Sequence, residues 1–188
     1  MNNKQRRKSE QRKFQLRNEL WPNCEEYVWD RLSYDGFTTM PKTMPVILKI
    51  MDEMTKNKPV SQTYFALWCS TWDNSYVSLT KAKELASFSG FSGERAVTTW
   101  SSRMKSLEQL NFIQIKPGKS GPMSHALILN PHLVIRGHQE LRTPGLFETS
   151  YNALLELALE VGAKDVIEIT DEKLADYHAT FVREPTPN

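Results

Sequence analysis

Cysteine is scarce: Cys24 and Cys69 are the only two in 188 residues, and each sits alone in a stretch of helical spacing. Two isolated thiols exclude a disulfide framework and predict reduced packing side chains in a cytoplasmic protein. No apolar run approaches the roughly 18 residues a membrane-spanning helix needs. The chain opens on charge where a secretion signal would carry an apolar core. A soluble protein away from membranes is therefore expected. The four histidines, at 125, 132, 138 and 178, have no cysteine or carboxylate cluster at metal-ligand spacing, so neither a metal nor another cofactor is expected. No serine, cysteine or carboxylate pair stands in a catalytic setting, and no enzymatic activity is expected. Gly118-Lys119-Ser120 lacks the first glycine, separated by four residues from the Gly-Lys pair, and the following helix of a phosphate-binding loop, and Pro122 comes soon after it. Internal repeats and low-complexity segments are also missing.

What is present suits one domain with appendages, because hydrophobic residues make up 39% and charged residues 24% of the chain. The net charge of +2 conceals a gradient. Lys4, Arg6, Arg7, Lys8, Arg12, Lys13 and Arg17 face Glu10 alone in the first 17 residues, whereas ten acidic and four basic residues follow from Glu140 onward. A basic arm over residues 1–22 is suited to phosphates. The acidic stretch, residues 137–188, reads as a helical extension that pairs two copies of the chain or binds another protein.

Periodicity predicts the elements. A helix over residues 9–21 carries Phe14, Leu16, Leu20 and Trp21 and ends at Pro22, and a short one covers residues 24–32 before an Asp35-Gly36 turn. Thr43 is placed as the cap of a helix that buries Ile47, Leu48, Ile50, Met51 and Met54. Ser61 starts a helix whose Tyr64, Phe65, Leu67, Trp68, Cys69 and Trp72 leave little surface to be wet. A strand over residues 76–79 leads to a helix over 81–88 capped by Thr80, then to a Ser89-Gly90-Phe91 turn. Ser92 caps a longer helix, in which Val97, Trp100, Met104, Leu107 and Leu110 form one buried face. Residues 112–116 and 124–129 read as a hairpin with a long loop over 117–122. The polar stretch 136–145 reads as a link leaving the domain. Beyond it come an amphipathic helix with Tyr151, Leu154, Leu155, Ala158 and Leu159, closed by Gly162, and a last helix capped by Thr170 that precedes Pro185 and Pro187.

The fold class expected is mainly α with a small antiparallel β-hairpin. The order of elements over residues 76–129, two short-linked helices and then a hairpin, resembles the winged helix-turn-helix family. That resemblance implies a domain over residues 23–136 with preceding helices, and a second helix that enters the major groove of DNA while the hairpin reaches the backbone. On the helix from Ser92, the side opposite the apolar stripe carries Arg95, Thr98, Thr99, Ser102, Lys105, Ser106 and Gln109, with no carboxylate. Arg and Gln suit base edges, Thr and Ser suit phosphates or a thymine methyl, and Lys adds charge. Arg95 is the first choice for a base contact. Lys81 at the preceding helix, and Lys116, Lys119 and Ser120 at the hairpin, complete the expected duplex-binding set.

Residues 126–131, Ala-Leu-Ile-Leu-Asn-Pro, with Val134-Ile135-Arg136-Gly137 after them, resemble the close of the winged-helix domain in small plasmid replication initiators. The resemblance implies a protein of a bacterial mobile element that binds an origin or an operator. The functional expectation is sequence-specific binding of double-stranded DNA, as regulator or initiator. The alternative is an adaptor whose winged helix and acidic region dock onto another protein.

Overall fold

Prolines, glycines and capping side chains divide residues 3–182, those described by the computed structural model, into nine α-helices and three strands. The Pro185 and Pro187 tail lies outside the described residues. The chain is mainly helical with a small three-stranded antiparallel sheet. It forms two compact units, Met1–Phe37 and Thr38–Asn188. No helix among the described residues is long and apolar enough to cross a membrane.

The first unit holds α1 (Asn3–Leu20) and a single 3-10 turn, Cys24–Tyr27. The helix starts well before Ser9, so the basic run lies inside it. Its Lys4, Arg7, Lys8, Arg12 and Lys13 are exposed, and so are Phe14, Leu16 and Leu20, because no apolar stripe runs along it. The side chain of Arg6 lies outside the described residues. Arg17 reaches Glu25 at 2.9 Å. The helix expected over 24–32 shrinks to one turn because Asp30 accepts from the Leu32 amide (3.2 Å) and the Ser33 hydroxyl (2.8 Å), a local alternative to helical bonding.

The second unit begins with α2 (Met44–Thr55), which buries Met44, Ile47, Ile50, Met51 and Met54 on one face. Thr43 does not cap it by its side chain: the hydroxyl goes to His132 Nε2, 2.7 Å away. Helix α3 (Ser61–Cys69) is capped from α2, where Asp52 Oδ1 accepts from the amides of Val60 (2.8 Å) and Ser61 (2.9 Å). It is drier on one side only. Tyr64 and Leu67 are fully buried, whereas Phe65 is 41% and Trp72 80% exposed, and Cys69 is an exposed thiol, not a packing one.

Strand β1 (Tyr76–Ser78) is followed by α4 (Ala82–Phe88), α5 (Ala96–Gln109), β2 (Ile113–Gly118) and β3 (Gly121–Ile128). The sheet order is β1-β3-β2, with Val77 opposite Ala126 and Ile115 opposite Ala126, so the sheet is one strand larger than the expected hairpin. The expected link is instead α6 (Pro131–Glu140), which buries Val134, Ile135, Gly137 and His138. Asn130 caps it, accepting from the amides of His132 (2.9 Å) and Leu133 (3.5 Å). Then come α7 (Glu148–Val161), α8 (Lys164–Ile167) and α9 (Asp171–Phe181). Gly162 closes α7 in the left-handed region at φ 71°, and Thr170 Oγ1 accepts from Lys173 N to cap α9, as their sequence positions predict.

One core joins these elements. Ile47, Ile50 and Met51 of α2 belong to the same buried cluster as Leu107, Ile113, Ile135, Tyr151, Leu154 and Leu174. The apolar face of α7 is thus spent inside its own chain, against α2. Leu159, placed in that face by periodicity, is 65% exposed.

Candidate nucleic-acid interface

The turn between α4 and α5 is set by glycine. Gly90 takes φ 81°, and the Phe91 amide bonds back to Ala86 O (3.0 Å) while the Gly90 amide bonds to Ser87 O (2.9 Å). This is a Schellman closure, in which the carbonyls at the helix end are met by amides just beyond it. A side chain at Gly90 would meet Gln62 of α3 at 2.9 Å, so α3 packs over the turn. Neither Thr80 nor Ser92 acts as the predicted cap. Thr80 bonds Ser78 instead (3.1 Å), and α5 starts only at Ala96, after Gly93 at φ 78° turns the chain once more. Arg95 therefore occupies the N-cap position of α5, one residue outside the helix.

Along α5 the buried face is Trp100, Met104 and Leu107, with Val97 and Leu110 packed partly against the core. The opposite face, at helical steps of three and four, brings Thr98, Thr99, Ser102, Lys105, Ser106 and Gln109 into one stripe headed by Arg95. Arg95, Thr98, Lys105 and Gln109 are exposed; Thr99, Ser102 and Ser106 are half-buried. The Ser106 hydroxyl donates back to Ser102 O at 3.2 Å, which leaves its oxygen as an acceptor but spends its proton. Among the described residues Glu94, exposed beside Arg95, makes no ion pair within 4.0 Å, whereas two other carboxylates near this face are engaged. Glu84 pairs with Lys81 (3.2 Å), and Glu108 Oε1 accepts from the Ile115 amide (3.1 Å) on the edge of β2 not paired with β3. Lys81 is consequently a weaker candidate than its position suggests. Among the described residues Arg95, Lys105, Lys116 and Lys119 make no ion pair within 4.0 Å. Arg103 sits with its guanidinium 6.0 Å from the Phe91 ring and belongs to the packing.

The hairpin departs from expectation at its tip. Strands persist through Gly118 and Gly121, which face each other, so the predicted long loop is a two-residue turn made by Lys119 and Ser120. Pro117, which cannot donate to a ladder, falls at a register shift between Lys116 and Gly118. Lys116, Lys119 and Ser120 are all exposed at this end.

Three histidines carry structure that spacing did not reveal. His125 lies over Gly118, where a Cβ would come within 2.5 Å of its Nε2, and its Nδ1 is 2.9 Å from Tyr76 Oη. His132 is 3% exposed and bridges Thr43 Oγ1 (2.7 Å) and Asp165 Oδ2 (2.6 Å). The spacing is that of a nucleophile, base and carboxylate relay. A cleft of about 290 Å³ beside it is lined by Trp68, Ile128, His132 and Asp165 but not by Thr43, whose exposure is 0%. That hydroxyl is closed to solvent, and the chain of bonds ties α2, α6 and α8 together. Burial pushes the Asp165 carboxyl up, but the His132 bond and charge and the Asn130 bond outweigh it and hold it below its ordinary value. His138 bonds Leu110 O (2.8 Å) and Thr143 Oγ1 (2.9 Å), and burial lowers its imidazole pKa, with His178 lowering it further and the Leu110 bond opposing. Among the described residues no three His, Cys, Asp or Glu side chains stand together as a metal site.

Compared with protein-family models, curated proteins and solved structures, the chain matches none. The functional reading rests on the geometry.

Proposed function

We propose that the chain binds double-stranded DNA, with α5 in the major groove and the β2–β3 hairpin on the adjoining backbone, as a winged helix-turn-helix. The observation that carries this reading is the outward stripe of α5: it holds cations and hydrogen-bonding groups, it has no carboxylate, and its Arg95 and Lys105 are not neutralised by an ion pair. The element order and the β1-β3-β2 sheet support it. A groove needs such a face, since phosphates select cations and base edges select planar donors and acceptors. Lys116 and Lys119 serve backbone contact on the hairpin. The basic α1 adds phosphate contacts of its own.

The test is fluorescence anisotropy on labelled duplexes, random and from mobile-element origins and operators. Four phosphates neutralised by Arg95, Lys105, Lys116 and Lys119 contribute about −3.6 to the log–log salt slope, so raising salt from about 50 to about 200 mM weakens binding at least about a hundredfold, more with the contacts of α1. Arg95→Ala with Lys105→Ala makes the slope shallower by about 1.8. A preference for origin over operator duplexes assigns replication, and the converse assigns regulation. No duplex binding at low salt would overturn the proposal and favour a docking module for another protein.

A further inference from the structure

The face of the sheet turned away from the core is built as a surface in its own right. Strand alternation puts Val77, Ile113, Ile115, Ala126 and Ile128 inside, and the register sets Tyr76, Leu127 and Gln114 in one row and Ser78, His125 and Lys116 in the next on the outside. Tyr76 is 44% and Leu127 38% exposed. The Tyr76 and His125 rings lie 5.9 Å apart at 29°, locked by the Oη to Nδ1 bond. His125 Nδ1 and Tyr76 Oη are used on each other, and the exposed Tyr76 ring presents apolar surface on this face beside Leu127. Gly118 keeps the space His125 occupies. None of the three strands contains Asp or Glu, and Lys116 stands directly across from His125.

We infer that this face binds single-stranded DNA, taking an unpaired base against the Tyr76–His125 ring pair and its phosphate against Lys116. Paired bases inside a duplex hide their faces from a side-on platform, whereas an unpaired base exposes a surface that any aromatic ring can stack on. The lysine and the lack of carboxylates supply the complementary charge for a phosphate chain, and the platform is continuous with the hairpin. The inference deepens the DNA-binding reading and rests on it: a strand leaving a duplex held by α5 and the hairpin would meet this face.

Anisotropy of a labelled oligothymidylate of about 12 nucleotides at low salt tests it. Tyr76→Leu keeps an apolar side chain suited to a strand but removes the ring face, and should weaken oligothymidylate binding by about tenfold or more. Tyr76→Phe keeps the ring and should restore most of it. Duplex binding should stay within about twofold in both, and Arg95→Ala with Lys105→Ala should do the reverse, weakening duplex binding and sparing oligothymidylate. Oligothymidylate binding that is absent, or unchanged in Tyr76→Leu even if that variant melts earlier, overturns the inference. Loss of single-strand and duplex binding together in folded Tyr76→Leu also overturns it, since the two sites would then be one. Failure of duplex binding in the wild type, with the oligothymidylate result intact, would instead sink the groove reading.

Discussion

At the scale of single residues, the buried polar groups do the work that sequence spacing had given to none of them. His138 is held neutral by burial between α5 and the residues after α6, with both ring nitrogens partnered. Its pKa in the folded chain lies below the ordinary 6.5, so the unfolded chain binds its proton first. The stability this contributes is present above about pH 6.5 and is lost as pH falls toward the folded value. Thermal melts between pH 7.5 and 5, a range of about two to three units around that value, should show the midpoint falling on the acid side. His138→Gln, which keeps hydrogen-bonding capacity but cannot charge, should flatten that slope; equal slopes in both proteins would contradict the assignment. Thr43 and Ser92 show why such roles were hard to read. A hydroxyl before a helix satisfies the pattern of a cap, but Thr43 is claimed by His132, 89 positions away, and Ser92 by nothing helical because Gly93 turns the chain first.

At the scale of elements, α7 decides between an assembly surface and a structural part. A lone amphipathic helix after a polar link asks for a partner, and its sequence offered another copy of the chain. In the structure Tyr151, Leu154 and Ala158 are buried on α2 and the core, and Ser150 donates to Glu53 Oε1 of α2 at 3.0 Å. Leu154→Ala, at 1% exposure, should therefore cost about 2–5 kcal/mol in urea unfolding. Sedimentation velocity should show the same oligomeric state before and after the substitution. A dimer that dissociates in the variant, with little loss of stability, would return α7 to the role of an interface. Helix α5 was easier to read: Trp100, Met104 and Leu107 repeat at helical spacing, and burial follows that repeat. Its first turn was not, since the cap rule looks for a serine and the backbone obeys a glycine.

At the scale of the whole molecule, helices from both ends of the second unit share one core with the sheet. Amides of β3 and of α7 should then exchange with solvent only through one common opening. In native-state hydrogen exchange under increasing denaturant, Ala126 and Leu154 should converge on one free energy, whereas an α7 that opens far below β3 would mark a separable extension. The sequence by itself determined the helices with a regular apolar stripe, the strands flanked by turn residues, and the polar, carboxylate-free stripe of α5, because period and residue type act over a few neighbours. The tertiary structure alone decided that residues 136–145 include a core helix, that the third strand joins the sheet, that Lys81 is already paired, and that Tyr76 and His125 meet on an exposed face. Those outcomes depend on contacts between residues tens of positions apart, where burial and hydrogen bonding override what local spacing prefers.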